Sequence, residues 1–255
     1  MAPTKRKGGE EPDPTEDTET VTPDSQISAD DARTYWQGVD ADDDGMLGGY
    51  AMVSRVDLRG SRSFLAKLGF GRKKGAKVIK RVLEGGAGIG RITRGLLTEM
   101  AETVDVVEPV AKFTEELAEC EGVGHVYNQG LEDWKPDEST DVRYDVIWIQ
   151  WCLSYLNEVQ LDAFLKRCKS VLSTDDSGNV TGVIVVKENL ATGLEDVFDA
   201  IDSGLTRKEE TFRRIFTKAG LKIIKTELQH GLPSELFPVR MFALKPVSEE
   251  VAGEA

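Results

Sequence analysis

With 255 residues and a net charge of −13, the chain can bury one sizeable core but lacks the overall basic balance that nucleic-acid phosphates attract. Three cysteines, Cys120, Cys152 and Cys168, form no C-x-x-C pair and are odd in number, which argues against a disulfide framework or a zinc site and for a reducing compartment. No apolar run approaches the ~20 residues that span a bilayer, and the N-terminus lacks the apolar centre of a signal peptide.

Residues 1–30 are rich in Glu, Asp, Thr and Pro and poor in apolar side chains, with Lys5, Arg6 and Lys7 set against eight acids. Such a segment cannot bury enough surface to offset its ordering entropy and is expected to be a disordered acidic tail. The Lys5–Lys7 cluster is compatible with nuclear entry but too short to establish it, so the expected location is cytoplasmic with the nucleus as a second option. Residues 247–255 are expected to form a flexible C-terminal tail, which leaves 31–246 as one domain.

Residues 31–68 carry T-Y-W, an acid run (Asp40, Asp42, Asp43, Asp44) and D-G-M-L-G-G-Y. An apolar strand follows (K-V-I-K-R-V-L-E), then a glycine turn, Gly86-Ala87-Gly88-Ile89-Gly90, a helix opening at Arg91, and a second strand ending in Glu108. This order is the first strand-helix-strand unit of a nucleoside-binding α/β sheet: glycines let the backbone approach the ligand, and the acid holds ribose hydroxyls. The turn is G-x-G-x-G with Arg91 directly after it, which suits a ligand carboxylate better than a pyrophosphate. S-adenosylmethionine has both a ribose and a carboxylate.

The alternation continues. A helix is expected over Lys112–Cys120, a short strand at H-V-Y-N-Q, and a central strand over Tyr144–Gln150, apolar on both faces. Next come a helix near Glu158–Val171 capped by Asn157, a strand over Gly182–Lys187, and a helix from a capping box at Thr206–Glu209 to Ala219, stopped by Gly220. Two last strands, L-K-I-I-K-T-E-L and P-V-R-M-F-A-L, complete about seven. The expected fold is α/β, a doubly wound seven-stranded mostly parallel sheet with an antiparallel strand at its edge. Residues 31–68 and 190–205 are additions expected to lie over the cleft and to set substrate choice.

Across residues 31–246 the chain resembles the α-N-terminal protein methyltransferases, a family with the class I S-adenosylmethionine-dependent fold. The matching stretches are T-Y-W, D-G-M-L-G-G-Y, G-A-G-I-G-R-I-T, Y-D-V-I-W-I-Q-W, F-L-K-R-C-K, V-I-V-V-K-E-N, D-S-G and F-A-L. The resemblance implies methyl transfer to the α-amine of proteins that begin Xaa-Pro-Lys or Xaa-Pro-Arg after removal of the initiator Met, with neither nucleic acid nor membrane as partner. It assigns Gly86 and Arg91 to the methionine part of the cofactor, Glu108 to the ribose, Leu131 and Glu132 to the adenine region, and Gln150 to the methionine end. It places Trp36, Leu47, Gly48, Trp151, Asn189, Asp199 and Asp202 around the peptide N-terminus, Asp202 as proton acceptor and Asp199 toward the basic third residue. The family usually has Asp where Glu108 stands, and three departures stand out: Tyr155 where many members have a His, Phe237 where a Tyr is usual, and an insert over 190–205 that is one residue longer.

Methyl transfer needs a neutral amine, and Asp202 is the candidate base, with Asn189 orienting the first carbonyl of the substrate. His125 and His230 are expected to be structural or solvent-exposed. Each assignment has a plainer counterpart: Arg91 as a surface helix residue, Asp202 as a turn cap, Trp36 and Trp151 as core aromatics, and the acid run as a solvated loop. Two other functions compete, a methyltransferase acting on a small molecule or protein side chain, and a non-catalytic module that keeps the cofactor fold.

Overall fold

The computed structural model describes residues 22–71 and 75–247. Seven strands form the main sheet: β1 (Ile79–Gly85), β2 (Ala101–Val107), β3 (Val123–Tyr127), β4 (Val146–Gln150), β5 (Val183–Asn189), β8 (Leu221–Leu228) and β9 (Val239–Pro246), while β6 (Val197–Asp199) and β7 (Gly204–Thr206) pair as a separate hairpin. The order across the sheet is β3-β2-β1-β4-β5-β9-β8. Strands β3, β2, β1, β4 and β5 run parallel, and β9 runs antiparallel to both its neighbours. The reversed strand therefore lies inside the sheet rather than at the expected edge, because β9 returns from β8 and inserts its apolar residues beside β5.

Both faces of the central strands are buried, which explains the continuous apolar run of β4. Leu83, Ile147, Ile149 and Ile184 pack on one side beneath α6 (Glu158–Ser170) and α7 (Glu209–Lys218). Val82, Val146, Trp148 and Val185 pack on the other beneath α3 (Ser54–Lys67) and the helical stretch 91–100, whose Thr93–Leu97 portion is π-wound. Asn157 caps α6 in a complete capping box with Gln160. No helix among the described residues is long and apolar enough to cross a membrane.

Three other expectations need correction. Thr206 is drawn into β7 and does not cap α7; Asp196 does so from outside, its Oδ1 accepting from Lys208 N at 2.7 Å and Thr211 Oγ1 at 3.0 Å. The helix expected over Lys112–Cys120 is confined to α5 (Ala111–Thr114), after which turns seat buried Leu117 over Gly90. The folded body also begins before residue 31: Pro23–Gln26 forms a 3-10 turn and α1 (Ala29–Gly38) starts within the expected tail. Residues 1–21 and 248–255, with the Lys5–Lys7 cluster and most of both expected tails, lie outside the described residues.

Candidate active site

The strand order reverses at β1, between β2 and β4, and a cleft opens beyond the carboxyl ends of these strands. Gly86, Arg91, Glu108, Leu131, Glu132 and Gln150 all line it. Gly86 has φ +67°, and a side chain there would collide with Cys152, so the turn needs glycine for both conformation and space. Glu108 turns back onto that turn: its Oε2 accepts from Gly88 N at 2.8 Å and its Oε1 from Val110 N at 2.9 Å. Burial raises the Glu108 pKa, and these two N–H donors oppose the rise.

Arg91 lies beside Asp57 of α3, with Nη2 at 2.8 Å from Oδ2, and its guanidinium sits over the Trp151 ring at 5.4 Å. Gln150 Nε2 donates to Asp57 at 3.0 Å, and Lys187 Nζ of β5 approaches Asp57 Oδ1 at 2.5 Å. Asp57 and Lys187 are both fully buried, and neither was singled out from sequence. The available signal was periodicity: Asp57 shares the buried stripe of α3 with Ser61, Phe64 and Leu65, so an acid stands where an apolar residue belongs. Buried Glu84 of the cleft wall was also missed; desolvation pushes its pKa up to about 8, and Thr93 bonds to it.

The N-terminal extension closes one side. Trp36 and Arg33 of α1 line the cleft, and Arg33 pairs with Glu132 at the end assigned to adenine. A short helix, α2 (Asp43–Met46), brings Met46 over Gly88, and Asp42 of the acid run caps it by accepting from Gly45 N at 2.8 Å. Leu47 and Gly48 follow directly; Leu47 is half-buried, Gly48 is exposed at φ +56°, and neither lines the cleft.

The insert supplies the hairpin β6–β7. Asp202, in its turn, accepts from Gly204 N at 2.9 Å and from Tyr155 Oη at 2.8 Å. Tyr155 lines the cleft, and its ring meets Trp36 edge-on at 6.2 Å; Asp202 itself does not line it. Burial, and then the Asp202 charge, push the Tyr155 pKa well above its ordinary value, so the phenol stays protonated and donates. The hairpin is anchored by fully buried Arg207, which binds Leu153 O at 2.8 Å, Leu156 O at 2.5 Å and Asp24 Oδ1 at 3.0 Å.

Asp199 is exposed and accepts from Ile201 N at 2.8 Å within the hairpin turn. Asn189 ends β5, one residue beyond buried Glu188, whose Oε1 accepts from Cys152 N and Leu153 N at 2.9 Å each. Trp151 lines the cleft at φ 54°, an uncommon conformation for a bulky residue. Trp134 and Trp148 are core residues, and His125 and His230 are exposed away from the cleft.

Residues 24–245 match the family model described as AdoMet dependent proline di-methyltransferase. Alpha N-terminal protein methyltransferase 1 of Schizosaccharomyces pombe is 42% identical over 226 residues, 86% of this chain and 96% of that protein. The chain belongs to the α-N-terminal protein methyltransferase family. Another relative, N-terminal Xaa-Pro-Lys N-methyltransferase 1-A of Xenopus laevis, is 37% identical over 235 residues, 89% of this chain and 99% of that one. A solved S-adenosylmethionine-dependent methyltransferase from Leishmania major superposes with TM-score 0.73 at 36% identity, covering 85% of this chain and 82% of its own.

The residues of this N-terminal methyltransferase fit its cofactor. Arg91 offers guanidinium N–H groups near one end of the cleft, Glu108 keeps lone pairs free after its two backbone bonds, and Gly86 and Gly88 line the cleft between them without side chains of their own. Trp151 Nε1, on a cleft-lining residue, is buried and has no partner among the described residues.

Proposed function

We propose that this methyltransferase acts on the free α-amine of proteins that begin Xaa-Pro-Lys or Xaa-Pro-Arg once the initiator Met is gone. The observation that carries the reading is the Asp202–Tyr155 pair: a carboxylate on the insert hairpin bonded to a residue of the cleft wall. Names borne by close relatives support the substrate.

S-adenosylmethionine, when bound, provides a methyl group activated on a sulfonium. Arg91 and Gln150 would hold its methionine end, Glu108 the ribose, and Leu131 and Glu132 the adenine region. The substrate amine has a pKa near ~8 and must lose a proton before it can attack. Asp202 accepts that proton, while Tyr155 fixes one of its oxygens and Gly204 N the other. Trp36 and Trp151 flank the peptide N-terminus, and Asn189 donates to its first carbonyl. Proline at position two presents the amine with a fixed φ and so with little entropy to lose.

Incubation with labelled cofactor and Ala-Pro-Lys peptides, beside N-acetylated copies, tests the reading. Label confined to free-amine peptides is expected. Label in the acetylated peptides would move the acceptor to a side chain, and no label in either would remove the substrate assignment.

A further inference from the structure

Arg91 faces the cofactor cleft already paired. Its Nη2 lies 2.8 Å from Asp57 Oδ2, and the two side chains are 8% and 0% exposed. A guanidinium neutralised in this way is a poor receptor for a second carboxylate, because the incoming anion meets the charge of Asp57 as well as that of Arg91. The other oxygen of Asp57 faces Lys187 Nζ at 2.5 Å. The remaining partners of Lys187 are uncharged: Asp57 O at 3.1 Å, Ser61 Oγ at 2.9 Å and Gln229 Oε1 at 2.9 Å. Gln150 also reaches Asp57 through a neutral amide.

Two buried cations thus share one carboxylate, and one positive charge is left over. A surplus buried charge is costly until a counter-ion arrives. Glu84, the acid close to Arg91, is bonded to Thr93 and makes no ion pair with Arg91 among the described residues, and burial pushes its pKa up to about 8. We propose that Lys187 is a positioning residue of the cofactor site: it holds Asp57 from behind and so leaves Arg91 with charge for the methionine carboxylate. Lys187 does not line the cleft and acts through Asp57 alone. The inference rests on the placing of the methionine end at Arg91 and Gln150.

Calorimetric titration with two ligands tests it: S-adenosylhomocysteine, and 5′-methylthioadenosine, which lacks the amino-acid end. Lys187→Met removes the cation and leaves Asp57 paired to Arg91, so no buried charge is orphaned. It should weaken S-adenosylhomocysteine roughly ten-fold or more while leaving methylthioadenosine within about two-fold. Lys187→Met/Asp57→Asn restores the charge count and should recover S-adenosylhomocysteine affinity toward wild type. A packing defect would instead weaken both ligands and deepen in the double variant.

Equal losses on the two ligands, unchanged S-adenosylhomocysteine binding in Lys187→Met, or no recovery in the double variant would each overturn the proposal. Should Lys187→Met fail to fold, the double variant carries the test. It should keep the wild-type ratio of the two affinities, and a ratio collapsed to that of Arg91→Ala overturns the idea. If Arg91→Ala itself binds S-adenosylhomocysteine normally, the placing of the methionine end fails instead.

Discussion

Tyr155 Oη donates to Asp202 Oδ2 at 2.8 Å, and this bond joins a residue of the cleft wall to a carboxylate that is not part of that wall. Where relatives are expected to carry a titrating imidazole, this chain has a phenol held protonated by burial and by its acidic neighbour. On the proposed function, the proton acceptor would be one carboxylate fixed by a neutral donor, rather than a pair of bases.

Asp202→Asn should lower kcat by roughly 10²-fold or more with peptide KM little changed, because the amide keeps the size but cannot take the proton. Tyr155→Phe should cost about ten-fold in kcat through loss of one charge-assisted bond. In a double-mutant cycle the two effects should be less than additive, and additive losses would mean that the bond is not used in turnover. The alkaline side of the pH–rate profile should be alike in wild type and Tyr155→Phe, since the phenol stays protonated across the working range.

Part of the cleft lining was legible from alternation, while Leu131, Glu132, Trp36 and Asp202 came only with the family resemblance. Gln150 stands out as a polar residue at the end of an apolar strand, and Arg91 and Glu108 follow from the order of strand, glycine turn, helix and strand. The place of β9 was not legible, because which strand it joins depends on non-local pairing. Thr206 matched a capping box in sequence, yet the hairpin took it as a strand residue and Asp196 came from elsewhere to cap the helix. Asp57 was missed for a related reason: an acid on a helix reads as a solvent-facing residue until its partners, 34 and 130 positions away, are brought to it.

Arg91→Ala and Glu108→Ala should each weaken cofactor binding by about ten-fold or more without unfolding the protein. Glu108→Asp should be milder, but its shorter arm cannot reach both Gly88 N and Val110 N, so affinity should fall a few-fold. Titration with S-adenosylhomocysteine, with circular dichroism as the control for folding, decides. Wild-type affinity in both alanine variants would misplace the site.

Glu84 links the cleft to pH. Its folded pKa is about 8 against an ordinary 4.5, raised chiefly by desolvation, so between these values the folded state keeps a proton that the unfolded chain has released. The stability it contributes is whole below about pH 4.5 and is lost as pH rises toward about 8. Glu188, raised to about 7 by burial, acts in the same direction over a narrower window. Glu84→Gln should flatten the fall in urea-unfolding free energy between pH 5 and pH 8 by an amount on the order of a few kcal/mol. An unchanged slope would mean that Glu84 is ionised in the folded protein at neutral pH.

Asp199 is exposed, and Asp196 is engaged at the end of α7, so selection of a basic third residue is expected to rest on Asp199 and to be modest. Wild type should favour Ala-Pro-Lys over Ala-Pro-Gln and Ala-Pro-Glu, with the margin shrinking as salt is raised. Asp199→Lys should lose or invert that order. A preference that persists in Asp199→Lys at high salt would point to a buried reader elsewhere.

The clamp between Asp24 and Arg207 spans 183 positions of sequence. During synthesis Asp24, the glycine turn and Glu108 are all made well before the hairpin, so the clamp cannot close until most of the chain is out. Only when Arg207 emerges and turns back to meet Asp24 is the hairpin tied down. A protein trimmed at residue 31 would bury Arg207 without its anionic partner.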